Sequence, residues 1–542
     1  MPLGQSASTK DWISTAPKPA RFVRQMPVPQ PLVPTVMNDE YGEYHLYEID
    51  ERATQAQLLD PGAPATTVLA YAPANGTPSV PGPLIKVQQN TRVCLKVRNQ
   101  LPAIHPVFGY PAATSVHLHG SASLPQFDGY ADDLTQPSHW KAYWYPNHQG
   151  PRTLWYHDHA VHHTAQNVYS GLVAQYHLQN AWEQANLPQG PYDVPLTVSD
   201  AMFDSDGNLA YMDRDHAGLY GDVITVNGVP WPYFDVEQRY YRFRVLVATL
   251  SRSFNFRFVN TRTNAVLPVH VIGTDGGLMV PQQVTSWRHG GAERYEVMVD
   301  FSGCRIGDRV ELRNTSNKNN VDWLHTGKVL QLRVTSPARS TAANAVVTPP
   351  SSEINEVMSA PRSSSRRTRD IDLEHDDETN EYLINGMSWG EIQAGNWNIF
   401  TDEGDPPRPG DYEIWRIENN SGGWFHPLHI HLVDFRVLSR KGGLGTVAPW
   451  ERGPKDVVYV GEGETVEVLV HYAMAPERYP DGRSTGQAGA TGSLGGRYMI
   501  HCHNLAHEDH DMMGQFLVGP ATGEPDLTPT SPNHPFYAAP SV

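Results

Sequence analysis

Along most of the chain apolar and polar residues alternate in short runs, as at residues 92–97, 254–259, 295–299 and 465–470. Successive side chains of an extended strand point to opposite faces, so a period of two predicts half-buried strands. Helical periodicity is scarce by comparison. With 45 Gly and 45 Pro punctuating the runs, the pattern predicts an all-β chain of several packed antiparallel sandwiches rather than an α/β fold. Residues 336–370 are polar and Pro/Ser-rich without a sustained apolar period, which predicts an exposed linker ahead of a C-terminal domain. A second boundary is expected near residues 180–191, where a strand-like run ends before LPQGPYDVP. The expected units are 1–183, 184–340, a linker over 341–370, and 371–542, with a Pro-rich tail after Pro520 wrapping a surface.

Composition narrows the partners. The 542 residues suffice for three to four domains at about 150 residues each. The net charge is −17 and no basic run is dense enough to track a phosphate backbone, so nucleic acid is not an expected partner. No stretch approaches the roughly 20 apolar residues that span a bilayer, and the mean hydropathy is −0.47, so no membrane partner is expected either. The N-terminal residues lack a basic region followed by an apolar core. The compartment stays open: either no leader was present, or the sequence is a processed, secreted form. Three cysteines, Cys94, Cys304 and Cys502, cannot build a disulfide framework. Cys94 shares a strand face with Arg92 and Lys96 and is either a plain strand cysteine or the partner of Cys304.

The chemistry is concentrated in histidine. His117 and His119, His157 and His159, His429 and His431, and His501 and His503 form four His-x-His segments. Residues i and i+2 of a strand face the same way, so each segment presents two imidazoles together, and neutral imidazole is the commonest metal ligand. One such pair is weak; four, two toward each end of the chain, imply that the outer domains meet face to face around metal. Two metals with three imidazoles each and one with two consume all eight.

A second site lies in HCHNLAHEDHDMM. Cys502 sits between His501 and His503, so its sulfur points to the opposite strand face and one strand serves two metals. Cys502, His507 and His426 with a weaker axial Met512 supply the His₂Cys-plus-Met set of a blue-copper electron-transfer site, and the thiolate favours copper over zinc. The bonded route from this site to the cluster is short, on the order of 10 Å.

HLHG, WYHDH, HPLHIH and HCHNLAHEDHDMM resemble, in order and placement, the four copper motifs of the multicopper oxidases, and GTDGGLMVPQQV resembles their ligand-free second domain. The resemblance covers most of the chain. It implies three cupredoxin-like Greek-key β-sandwich domains and four copper ions. A type 2 copper would sit on His117 and His429, and a type 3 pair on His119, His157, His159, His431, His501 and His503. The type 1 copper would be held by His426, Cys502, His507 and Met512, the last chosen over Met513 because the family places its axial residue ten positions after the cysteine. Within the family, SGGWFHPLHIHLVDFRVLSR and HLHGSASLPQFDGYADD most resemble bilirubin oxidases, with spore-coat laccases next.

That narrower likeness rests on Trp424. In bilirubin oxidases a tryptophan two residues before the type 1 histidine can be joined to it; here Trp424 either joins His426 or only packs over the copper. Asp128 and Glu508 match acidic residues that relay protons in these relatives, although Asp128 also reads as a turn residue before Gly129 and Glu508 as part of a surface salt bridge. The implied activity is the oxidation of an organic donor in four one-electron steps, coupled to reduction of O₂ to water. The donor would be bilirubin or another tetrapyrrole, a phenol or an aminophenol, docked near the ring edge of His426. A laccase-type phenol oxidase with little bilirubin activity, and a structural protein of the same fold, are the alternatives; the second fits poorly with a complete ligand set. A monomer is expected. His162, His163 and His510 fall outside the ligand count, and sequons stand at Asn75, Asn314 and Asn419.

Overall fold

The computed structural model describes residues 13–212, 218–400, 405–472, 476, 478–485, 496–519 and 537–538. Six sheets pair into three sandwiches. In the first, Thr35–Asp39, Gly42–Ala56, Thr66–Pro73, Val93–Asn99 and Trp140–Tyr145 face a second sheet of Ile85–Gln88, Val173–Gln179, Arg152–Asp158 and Val116–His119. The core between them alternates along the strands as the sequence pattern requires: Val93, Leu95 and Val97 from one sheet meet Leu154, Tyr156, Tyr176 and Leu178 from the other. The middle sandwich is built on Asp193–Ala201, Tyr240–Val247 and Arg294–Asp300 against Phe254–Asn260, Arg309–Asn314 and Lys328–Pro337. In the third, Ser365–Asp376, Tyr412–Asn419, Thr465–His471 and Asp434–Lys441 cover His426–Ile430, Val457–Val460, Gly496–Cys502 and Met513–Val518.

The alternating runs at residues 254–259, 295–299 and 465–470 lie in strands, and the run at 92–97 does so from Val93 onward. Their pairing is not purely antiparallel. Gly42–Ala56 runs parallel to Val93–Asn99, Asp193–Ala201 to Tyr240–Val247, and Ser365–Asp376 to Tyr412–Asn419. A period of two specifies which face a side chain takes but not which neighbour the strand selects, and the chain crosses between sheets before these partners meet. The polar segment after the middle sandwich carries short 3₁₀ turns at Ser351–Glu353, Glu356–Met358 and Arg362–Ser364, and its last residues already belong to the strand that starts at Ser365. It is partly anchored: Val357 is buried, and the Asn355 side-chain amide donates to Asp434. Of the tail after Pro520, the backbone of Tyr537–Ala538 adds a strand beside Trp140–Tyr145, and the rest lies outside the described residues. Cys94 in the first sandwich and Cys304 in the middle one are separate free thiols.

Buried charge joins the sandwiches. Arg242 and Arg244 of the middle one are fully buried; Arg242 Nη1 lies 2.5 Å from Glu183, and Arg244 pairs with Asp193 at 2.8 Å and Glu296 at 3.1 Å. Arg152 of the first sandwich reaches Asp434 of the third at 2.8 Å. Two short helices, Thr164–Ser170 and Leu505–Asp509, pack together across the seam between the first and third sandwiches. Among the described residues no helix is long and apolar enough to cross a membrane.

One glycine is essential where these parts converge. Gly129 has φ +76°, and a Cβ there would lie 2.4 Å from the Val116 carbonyl oxygen and 2.6 Å from Cα of His117. Gly129→Ala is expected to cost about 2–4 kcal/mol, combining left-handed strain with overpacking, by pushing on the strand that carries His117. Denaturant unfolding of the metal-free protein checks this; an unchanged midpoint would refute it.

Candidate metal centre

The strand alternation that predicted paired imidazoles operates at four places. His117 and His119 project from Val116–His119, which pairs with Arg152–Asp158 so that His117 stands opposite His157. His429 on His426–Ile430 stands opposite His501 on Gly496–Cys502. The first and third sandwiches meet along these strands, and all eight imidazoles are buried there, none more than 1% exposed. The rings interleave across the seam: His117 stacks on His431 at 3.9 Å and His119 on His429 at 3.6 Å between centroids. His501 Nε2 lies 3.1 Å from Nε2 of both His159 and His431. Within this body, His117, His119 and His157, His117, His429 and His431, and His159, His431 and His501 each bring three ligand atoms within 4.8 Å of one another.

Surrounding oxygens fix which nitrogen five of the rings present. His117 donates from Nδ1 to the Asp128 carbonyl, His157 to the Asp158 carbonyl at 2.8 Å, His429 to the Asp456 carbonyl at 2.9 Å, and His431 to Asp128 Oδ2 at 2.7 Å. Each then keeps a lone pair on Nε2. His119 is reversed: Nε2 meets Asp456 Oδ1 at 3.1 Å, and Nδ1 is buried without a partner. His157 Nε2 and both nitrogens of His503 are likewise buried and unpartnered. Such orphaned groups cost about 1–3 kcal/mol each, a cost that a bound cation removes, so the residues present fit a metal cluster. Burial, followed by the neighbouring imidazoles, lowers the pKa values; His157 falls to about 3, while His117, His119, His429, His431 and His503 lie well below their ordinary value. Burial also lowers His159 to about 4, with the like charge of His501 adding to it and Glu508 opposing it. These shifts favour the neutral rings that metal ligation requires at His117, His119, His157, His159, His429, His431 and His503.

Cys502 turns away from this cluster. Its Sγ lies 3.3 Å from His426 Nδ1 and 3.8 Å from His507 Nδ1, and those two nitrogens are 3.2 Å apart. His426 Nε2 donates to Ser421 Oγ at 2.7 Å, and that hydroxyl donates onward to Asn419 Oδ1, leaving Nδ1 for a metal. Met512 is fully buried; its N–H donates to the His507 carbonyl and its carbonyl accepts from the Cys502 N–H at 3.0 Å. Burial pushes the Cys502 thiol well above its ordinary pKa, so a cation is needed to hold the thiolate. A soft sulfur with two imidazoles suits copper.

Asp128 and Glu508 are both buried against imidazoles of the cluster. Asp128 bridges His431 and His117, the latter through its backbone carbonyl. Burial holds its carboxyl well above the ordinary range, with Lys141 opposing. Glu508 Oε2 lies 2.8 Å from His501 Nδ1 and Oε1 3.7 Å from His159 Nε2. Its carboxyl is pushed up by burial, but His501 and His159 outweigh this and leave it lowered. Trp424 is half-buried and its indole meets His507 edge-on at 5.6 Å, whereas the i, i+2 spacing predicted His426 as its neighbour. The strand begins only at His426, after Gly422 and Gly423 at φ +71° and +118°, so strand alternation does not extend back to Trp424. The expected ring edge of His426 is also covered: His426 and His507 are both 0% exposed, the first under Ser421 and the second between Trp424 and Tyr382, which stacks on it at 4.0 Å.

Two contributors escaped the sequence reading. Tyr382 stands far from His507 in sequence, and Asp456 lies in no histidine motif, so only tertiary contacts reveal them. Of the remaining histidines, His162 is exposed and His163 stacks on Tyr110 at 4.0 Å; the His510 carbonyl accepts from the Tyr382 N–H. The sequon asparagines Asn314 and Asn419 are buried, and Asn419 donates to the Trp424 carbonyl at 2.8 Å.

Residues 65–180 match one sequence model of the multicopper oxidase family, and residues 372–479 with 490–522 match another. Bilirubin oxidase of Albifimbria verrucaria is 36% identical over 519 residues, 92% of this chain and 82% of that protein. A laccase of Bacillus subtilis (strain 168) is 31% identical over 552 residues, 91% of this chain and 97% of the laccase. Among solved structures, the McoA multicopper oxidase from Aquifex aeolicus aligns with a TM-score of 0.73 at 25% identity, covering 92% of this chain and 100% of that one.

Two outcomes are expected. Cys502→Ser should leave copper-loaded protein without intense blue absorption and with donor oxidation abolished, read from the visible spectrum, metal content and donor turnover; a variant that stays blue would defeat the sulfur-site geometry. The second concerns acid. His157, His159 and His426 hold folded pKa values of about 3, about 4 and about 3 against an ordinary 6.5. Between pH 6.5 and about 4 these three sites therefore bind more protons in the unfolded chain than in the folded one, so the stability they contribute falls as pH falls. Denaturant midpoints of the metal-free protein at pH 7 and pH 5 measure this, and equal midpoints would contradict it.

Proposed function

Since the chain belongs to the multicopper oxidase family, a copper-dependent oxidoreductase with O₂ as acceptor, we propose that it oxidises bilirubin or a related tetrapyrrole in four one-electron steps per O₂ reduced to water. The observation that carries the reading is the division of labour over three consecutive residues: Cys502 faces His426 and His507, while His501 packs on His431 and His503 on His119 in the cluster. In this proposal four copper ions are held, a type 1 ion by His426, Cys502, His507 and Met512, a type 2 ion by His117 and His429, and a type 3 pair by the other six histidines. Bound copper supplies the one-electron redox chemistry and the place where O₂ is reduced.

The chain's own residues supply the rest. Both histidines of the sulfur site are shut off from solvent, so the donor docks against what covers them, and half-buried Trp424 on the edge of His507 is the contact we assign to it. Protons for water formation pass through carboxylates touching the cluster ligands, Glu508 on the His501 and His159 side and Asp128 on the His431 and His117 side. The matched bilirubin oxidase and Trp424 favour a tetrapyrrole; the matched laccase keeps simple phenols as the second reading.

Steady-state O₂ uptake with bilirubin and with a small phenol separates the two, and a negligible bilirubin rate would sink the narrower one. Trp424→Ala is expected to lower kcat/KM for the donor on the order of 10–100-fold and to shift the type 1 potential while cluster copper is retained. Unchanged kinetics and potential would remove Trp424 from the donor site.

A further inference from the structure

The middle sandwich carries none of the proposed copper ligands, yet one of its side chains reaches the cluster. Arg294, at the start of Arg294–Asp300, is fully buried. Its Nε donates to the Thr153 carbonyl of the first sandwich at 3.0 Å. Nη1 donates to the Ala292 carbonyl at 3.0 Å and to Asp456 Oδ1 of the third sandwich at 2.7 Å, and Nη2 to the Asp275 carbonyl at 3.3 Å and to Asp456 Oδ2. All the N–H groups of one guanidinium are thereby used, divided among three sandwiches.

Asp456 is the point at which this grip meets the imidazoles. Its Oδ1 receives His119 Nε2 at 3.1 Å, and its carbonyl receives His429 Nδ1 at 2.9 Å. The same residue thus leaves His119 with only Nδ1 and His429 with only Nε2 for a metal, opposite choices imposed on stacked rings. The middle sandwich also holds the neighbouring residue: Lys455 Nζ lies 2.8 Å from Asp275 and 2.9 Å from Glu293. The chain after His119 passes directly over the pair, and a Cβ at Gly120 would come within 2.6 Å of both Arg294 Nη2 and Asp456 Oδ2. The fork is therefore enclosed, and only a planar bidentate cation fills it.

Building on the copper assignment above, we propose that Arg294 is a positioning residue of the copper cluster: it orients Asp456, which selects the nitrogens that His119 and His429 present, so the ligand-free sandwich sets the cluster's geometry. A purely structural interdomain pair would behave like Arg242, which binds Glu183 and Glu296 and touches none of the cluster imidazoles.

The test uses the full chain, loaded with copper, as Arg294→Lys, Asp456→Asn and, for comparison, Arg242→Lys. The first two are expected to keep the blue type 1 absorption but to lose cluster copper affinity on the order of 10–100-fold, with altered type 2 hyperfine splitting in the EPR spectrum. Arg242→Lys is expected to lower the thermal midpoint while copper content and spectra match the parent. If Arg294→Lys does not accumulate folded, Asp456→Asn decides, because its amide keeps an acceptor for His119 while discarding the charge that Arg294 grips. Parental copper content and EPR spectra in the folded variants would overturn the proposal, as would equal spectral changes in Arg242→Lys. A parent that binds no copper would instead overturn the copper assignment itself.

Discussion

Eight imidazoles packed face to face, several with nitrogens buried and unanswered, form a body that hydrogen bonding within the protein alone does not satisfy. Polar groups in that situation are costly unless a partner is found, and here the partner must be cationic. The meeting of the first and third sandwiches is built around this requirement. The strands are ordinary, but their registers set His117 opposite His157 and His429 opposite His501, so five of the eight imidazoles project from rigid sheets and His159, His431 and His503 stand one residue past a strand end. The oxygens of Asp128, Asp158 and Asp456 then decide which nitrogen His117, His119, His157, His429 and His431 offer.

The middle sandwich supplies the frame. Its cation clusters are buried but paired, with Arg242 and Arg244 facing the first sandwich and Arg294 reaching the third. Buried ion pairs add little net stability against an apolar alternative, whereas breaking one is expensive. Their value lies in fixing how rigid bodies sit against each other, and in this molecule the relative placement of two sandwiches is the placement of the candidate ligands.

The sulfur site is coupled to the cluster by the simplest property of a strand. Neighbouring residues face opposite ways, so Cys502 and its flanking histidines serve different sites while remaining covalently continuous. Its cover is less regular. Gly422 and Gly423 swing the chain so that Trp424 leans on His507, and Ser421 closes over His426. The cover over the sulfur site is therefore made by a loop and by Tyr382, a residue distant in sequence.

The sequence by itself determined the fold class and the candidate ligands, because both depend on local periodicity: alternation marks strands, and His-x-His on a strand puts two imidazoles on one face. It also placed Cys502 on the face opposite its neighbours. What it could not carry were relations between distant segments. The parallel pairings inside each sandwich, the stack of Tyr382 on His507, the edge-on contact of Trp424 with His507 and the hold of Arg294 on Asp456 were decided only in three dimensions. Alternation tells a residue which way to face; which residue faces it depends on how the sandwiches dock.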